Sequence, residues 1–281
     1  MHVWNKCITI ILSLFLCGCA SVPDNTQPIT PVIVTRSNKC VAICVGVENG
    51  QAGYCAGAKK DAVDCYEYLT KRDFAGTLLV DADATWEKSE NAVLDIADKH
   101  DLKRDDLLAL TISSHGSQTP DLNNDEDDGM DEVIHFYDQG VVDDAIKLMF
   151  VKLAQKHPGI RVWILADTCH SEGNFRRYVR KAQSVVTFGH YGKRRGKPMF
   201  TKQEIEMLDI QIMEFAGCRE NAYSLGSVSG GNLTQTQLAE PTAGKSWKTW
   251  FDGMAEKVTG QEPVYVEYNI KEEYRNGQAL R

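Results

Sequence analysis

Three strand-like, largely apolar runs constrain this chain more than any other feature: VAICVGV at 41–47, which is continuous, LLALTIS at 107–113, and RVWILAD at 161–167. A strand with one solvated face alternates apolar and polar residues. A run without alternation belongs to a strand covered on both faces. Stretches with helical spacing lie between the runs: AGAKKDAVDCYEYL at 56–69, a segment at 86–98 with Thr85 as its N-cap, and a segment at 143–157 with Asp143 or Asp144 as cap. TLLVDAD at 77–83 and IQIMEFAG at 210–217 are further strand candidates, and the C-terminal part offers a helix over 245–258 and the strand PVYVEYN over 263–269. Repeated β–α alternation predicts an α/β fold, a mostly parallel central sheet of about six strands flanked by helices in three α/β/α layers. With 43% hydrophobic and 25% charged residues, the chain is excluded from the disordered, collagen-like and coiled-coil classes. A formal charge of −8 argues against general nucleic-acid binding.

In such sheets, sites lie beyond the carboxyl ends of the strands. LLALTIS runs into Ser114-His115-Gly116, and RVWILAD runs into Thr168-Cys169-His170-Ser171. Neighbouring strands are about 4.8 Å apart, so His115 and Cys169 converge if these two strands pair. Thiol chemistry needs that arrangement: a thiolate attacks, and an imidazole activates it and then protonates the leaving amine. The N–H of Gly116, which no side chain shields, with the N–H of Cys169 would form an oxyanion hole. Taken singly, a cysteine is usually a small core hydrophobe and a histidine structural. Both at the ends of strand-like runs, 54 residues apart (169 − 115), is less ordinary and fits the caspase-type order of histidine then cysteine.

At these residues the sequence resembles a metacaspase-type cysteine peptidase (peptidase C14) of the caspase–hemoglobinase fold. The resemblance runs from about Cys40 to the final strand. It is carried by VAICVGV followed by Ala56-Gly57-Ala58-Lys59-Lys60-Asp61-Ala62, by Ser113-Ser114-His115-Gly116-Ser117, by Asp128-Gly129-Met130-Asp131-Glu132, by Asp143-Asp144, by Asp167-Thr168-Cys169-His170-Ser171, and by Ala216-Gly217-Cys218-Arg219-Glu220-Asn221 with Gly230-Gly231-Asn232-Leu233-Thr234 beyond it. The resemblance implies His115 as general base and acid and Cys169 as nucleophile. It also implies a substrate pocket lined by Asp61, Ser113 and Asp167, in which two carboxylates favour Arg or Lys before the cleaved bond. The bland alternatives are surface solvation for Asp61 and strand-end capping for Asp167. Two departures stand out: Ser114 occupies the position before His115 where the family has glycine, and Glu172 separates Ser171 from Gly173.

Two charged segments flank the reactive residues. Residues 121–132 hold seven acids, without the glycine an EF-hand requires. Many metacaspases are activated by calcium, and Asp127, Asp128, Asp143 and Asp144 stand in the matching regions; the alternative is a solvated acidic loop. No cofactor is expected for the chemistry itself. Residues 173–203 carry nine Lys or Arg and no acid, which suits either self-cleavage or a basic surface facing anionic lipid.

The N-terminus reads as an address. The apolar run CITIILSLFLC at 7–17 ends in Leu16-Cys17-Gly18-Cys19, which resembles the bacterial lipobox. The implied division is a lipoprotein signal peptide over 1–18, a polar tether over 19–38 with three of the eight prolines, and a peptidase domain over 39–281. Lipidation at Cys19 would anchor the chain to a membrane. Ala20 and Ser21 after it favour the outer membrane of a bacterial envelope, facing the periplasm. Cys40 and Cys44 would lie about 13 Å apart on one strand, too far to bridge.

The expected activity is hydrolysis of peptide or protein substrates after a basic residue. The alternatives are a non-catalytic caspase-like envelope scaffold, or a related cysteine hydrolase of other specificity. A last strand able to pair with a second copy makes a dimer conceivable, and nothing in the sequence demands one.

Overall fold

The computed structural model describes residues 38–120, 130–168, 208–217 and 224–280. Its central sheet contains β1 (Cys40–Gly46), β4 (Ala75–Val80), β5 (Leu107–Ser113), β9 (Arg161–Asp167), β10 (Gln211–Ala216) and β13 (Val264–Tyr268), in the order β13-β10-β9-β5-β1-β4. Every pairing is parallel except that of β13 with β10. The expected six-stranded, mostly parallel sheet is therefore present.

The three apolar runs are β1, β5 and β9, the middle of the sheet. Alternate residues of each strand face opposite layers. Val41, Ile43 and Val45, with Leu108, Leu110 and Ile112, join Val93, Ile96 and Ala97 of α2 (Trp86–Lys99) and Ile146, Met149, Phe150 and Leu153 of α3 (Asp143–Lys156) in one core. Ala42 and Cys44, with Ala109, Trp163, Leu165, Met213 and Phe215, join Ala62, Cys65 and Leu69 of α1 (Ala58–Thr70), Leu233 of α4 (Asn232–Ala239), and Trp247 and Trp250 of α5 (Trp247–Ala255) in the other. Trp163 stacks edge-on or tilted against Phe215, Trp247 and Trp250 at 5.2–5.7 Å between ring centroids. Buried rings at that spacing contribute roughly 0.5–1.5 kcal/mol per pair beyond their burial.

Smaller elements complete the described residues: the hairpin β2 (Asn49–Gly50) and β3 (Gly53–Tyr54), a sheet of β6 (Gly116–Pro120), β7 (Met130–His135) and β8 (Gly140–Val142), the hairpin β11 (Gly226–Ser227) and β12 (Gly230–Gly231), and the terminal helix α6 (Glu272–Arg275). The pattern at 121–132 hid β7, because its Asp131 and Glu132 are acids that are nonetheless buried. The strand expected over 77–83 ends at Val80, and Asp81–Asp83 form a 3-10 turn. Thr85 caps α2, its hydroxyl accepting from Lys88 N at 3.3 Å. At α3 the cap position belongs to Val142, and Asp143 lies buried in the first turn rather than capping from outside it. The helix expected over 245–258 is the shorter α5, capped by Ser246. Among the described residues no helix is long and apolar enough to cross a membrane. The signal, tether and Cys19 lie outside the described residues.

Candidate active site

The register places Gly46, Ser113 and Asp167 side by side across β1, β5 and β9. These are the carboxyl ends of the three central strands, so whatever follows them emerges at one edge. His115 follows Ser113 by two residues and Cys169 follows Asp167 by two.

The backbone of His115 is held on both sides. Its carbonyl accepts from His135 N at 2.9 Å and from Ser114 Oγ at 3.0 Å. Gly116 then enters β6, opposite Ile134 of β7. Burial pushes the imidazole of His115 below its ordinary 6.5, against a hydrogen bond to the backbone of Tyr54 that favours the charged form. A ring neutral at pH 7 is in the state a general base requires. His135 is also lowered by burial, with the charge of His115 adding to it, and its Nε2 meets Ser117 Oγ at 2.7 Å. Cys169, and with it the second oxyanion-hole donor, lies outside the described residues. Cys44 and Cys65 are buried thiols whose pKa values burial raises, that of Cys44 to about 12, so neither suits nucleophilic attack.

Asp61, Ser113 and Asp167 are brought together. Asp61 is on α1, which rests on β1, β4 and β5, and it is 1% exposed; Asp167 ends β9 and is 0% exposed. Ser113 Oγ donates to Asp61 Oδ2 at 2.9 Å. Gly231 N donates to both Asp61 oxygens at 2.9 Å, and Gln235 Nε2 donates to Asp61 Oδ1 at 2.9 Å. Asp167 accepts from Ser224 Oγ at 2.6 Å, from Thr234 N at 2.9 Å and from Thr234 Oγ1 at 2.8 Å. Gly231 lies against both acids: a Cβ there would fall 2.2 Å from Asp167 Oδ2 and 3.0 Å from Asp61 Oδ2. Burial raises the pKa of both carboxyls; at Asp61 the charge of Asp167 adds to the rise, and at both the donors oppose it.

Sequence reasoning missed Ser224, Thr234 and Gln235 as partners of these acids. Gly231 and Thr234 were visible only as part of a Gly-Gly-Asn-Leu-Thr match, and Ser224 carried no signal at all.

Among the described residues, no group of three His, Cys, Asp or Glu is placed to hold a metal ion. Asp143 stands near Glu214, whose carboxyl burial pushes up to about 8 with Asp143 adding to it. Asp144 Oδ1 lies 3.8 Å from Lys147 Nζ. The two supply fewer oxygens than the six to eight calcium takes, and Asp127 and Asp128 lie outside the described residues.

Comparison with known proteins bears on the family and the fold. Metacaspase-1A of Aspergillus niger is 37% identical over 102 residues, covering 34% of this chain and 25% of that protein. Metacaspase-1 of Saccharomyces cerevisiae is 45% identical over 75 residues, 25% of this chain and 17% of that protein. This chain thus spans about a quarter or less of the length of these curated relatives. Among solved structures, protein GSU0716 from Geobacter sulfurreducens superposes with a TM-score of 0.66 at 21% identity, over 85% of this chain and 97% of that one. Caspase-1 from Spodoptera frugiperda superposes at 0.50 and 14% identity, over 82% and 86%. The caspase-domain family model matches residues 38–273, most of the chain. With its strand tips, its histidine at the end of β5 and its sheet order, this chain belongs to the caspase-domain family of peptidases, peptidase C14.

Proposed function

We propose that this protein is a cysteine endopeptidase that hydrolyses peptide bonds after Arg or Lys. The observation that carries the reading is the pair of buried carboxylates, Asp61 and Asp167, joined through Gly231 at the strand tips that lead into His115 and Cys169. A basic side chain is the natural counter-charge for two acids that burial alone disfavours. Ser113 positions Asp61 within that pocket.

In the proposed reaction His115 takes the proton from Cys169 Sγ. The thiolate attacks the scissile carbonyl, and the negative oxygen is met by the N–H groups of Gly116 and Cys169. His115 returns the proton to the departing amine as the C–N bond breaks, leaving a thioester on Cys169. A water then gives a proton to His115 and its oxygen to the carbonyl, and the thiol is regenerated as the acid leaves. No metal enters these steps. The N-terminal sequence supports an envelope anchor through a lipid on Cys19.

A panel of fluorogenic peptides ending in Arg, Lys, Asp or Asn tests the reading, with alkyne-palmitate labelling of wild type and Cys19→Ala beside it. Turnover of the Arg and Lys peptides alone, abolished in Cys169→Ala, is the expected result. Preference for Asp would overturn the pocket assignment, and no turnover by wild type would overturn the activity. Equal labelling of both proteins would overturn the anchor.

A further inference from the structure

Helix α4 begins at Gly231 with no side chain of its own to cap it. Its leading N–H groups turn instead to carboxylates from other elements: Gly231 N to Asp61 on α1, and Thr234 N to Asp167 on β9. The two acids accept six donors among the described residues, and five of them, Ser224 Oγ, Gly231 N, Thr234 N, Thr234 Oγ1 and Gln235 Nε2, come from one stretch, residues 224–235. The sheet supplies the sixth, Ser113 Oγ.

Six donors therefore engage these acids, which are out of contact with solvent. A guanidinium carries five N–H donors in a rigid fork, and an ammonium three. The donors that residues 224–235 present number the same as those of one arginine. The first end of the stretch is tied down separately: Gln261 Nε2 donates to Gly217 O at 2.8 Å and to Ser224 Oγ at 3.0 Å, while Leu225 N donates to Gln261 Oε1 at 2.6 Å. At the other end, β12 and the first turn of α4 are held to the sheet and α1 by hydrogen bonds to the same two acids, by Gln235 Nε2 donating to Asp64 Oδ2 at 2.9 Å, and by Leu233 in the second core.

We infer that residues 224–235 form a gate occupying the place of the substrate's cation, so that a basic side chain reaches Asp61 and Asp167 only as β12 and the first turn of α4 withdraw. The inference rests on the reading of these acids as the basic pocket. Gln235 and Thr234 thereby set specificity: they determine how readily the gate yields, and a five-donor arginine replaces what is withdrawn more completely than a lysine. Gly231 is the point of closest approach in this exchange, since any side chain there would collide with Asp167 in the closed position.

Hydrogen exchange at the Gly231 and Thr234 amides, followed while agmatine is titrated in, tests the gate without requiring catalysis. Agmatine presents a guanidinium, and N-butylurea serves as its neutral counterpart. Agmatine should speed exchange at both amides, N-butylurea should not, and the half-effective agmatine concentration should fall about tenfold in Gln235→Leu, the equivalent of one hydrogen bond to a charged group. Thr234→Val, which keeps the backbone donor, should act in the same direction, with protection of the β9 amides reporting that each variant remains folded. Slower or unchanged exchange with agmatine would overturn the gate. Cleavage of Arg peptides with an unresponsive gate removes this inference alone, whereas a responsive gate with no peptide cleaved removes the peptidase reading and leaves the gate standing.

Discussion

Glu214 lies in the interior of β10, between Ile164 of β9 and Val266 of β13, and is 2% exposed. Its neighbours Met213 and Phe215 face the aromatic core, so alternation turns Glu214 toward the layer of α2 and α3. Burial raises its carboxyl from 4.5 to about 8, and the charge of Asp143 adds to the rise. A folded-state pKa above the unfolded one means that the native protein binds the extra proton between these limits. The stability this proton contributes is whole below about pH 4.5 and is lost as pH climbs toward 8. At about 1.36 kcal/mol per pH unit, the loss between pH 5 and 7 is roughly 3 kcal/mol, and it is a ceiling because water entry would relax the site. Glu214→Gln titrates in neither state. Its buried NH2 costs about 1–3 kcal/mol at every pH, so the slope is the signature and the ranking at one pH is not. Urea unfolding followed by tryptophan fluorescence, in chelator at pH 5, 6 and 7, should show wild type losing stability relative to Glu214→Gln by roughly that amount. Parallel curves for the two proteins would refute the buried, protonated carboxyl.

Two further outcomes follow from the packing and from the site. In Gly46→Ala the new Cβ would lie 2.4 Å from Ala58 O and 2.7 Å from Ala62 Cβ, where α1 crosses β1; overpacking of that kind costs about 1–3 kcal/mol, and a urea midpoint equal to wild type would refute the close approach. Burial holds His115 below 6.5, and as a base it acts when neutral, so kcat/KM against pH should switch on with a midpoint under 6.5; a midpoint at or above that value would refute the desolvated imidazole.

The layers of this fold are legible because they are repetitive. A run such as VAICVGV, short, rich in β-branched residues and followed by helical spacing, reads as a strand covered on both faces, whereas its register is one residue off what aligning the runs would give, Cys40 pairing with Leu107. Thr85 is legible as a cap because its chemistry is local. What escapes the sequence is what depends on distant partners. Asp131 and Glu132 look like loop acids until β6 and β8 flank them. The segment at 232–239 has no apolar stripe to announce α4, since much of what fixes its start is two carboxylates contributed from more than 60 residues away. Asp61 and Asp167 were legible as a pair through family resemblance. Apart from Ser113 their donors were not, because Ser224, Gly231, Thr234 and Gln235 form a set only after β12 has turned the chain back toward β9.

The choice of aspartate at these two positions says more than its geometry does. Helix starts are capped well by Ser, Thr or Asn, which satisfy an N–H without carrying charge. Capping alone would favour such a residue here, because a neutral acceptor at 0–1% exposure avoids both desolvation of an anion and repulsion from a second one. Burial raises both carboxyls, at Asp61 the charge of Asp167 adds to it, and the six donors offset these penalties only in part. An arrangement that is costlier than its structural task requires implies a task that needs the charge itself. Of the partners a peptide can offer, a cationic side chain alone turns two crowded anions from a liability into a binding site. On the proposed reading, the tension between helix cap and cation pocket follows from the chemistry: the donors that keep the acids quiet at rest are the donors an arginine would displace.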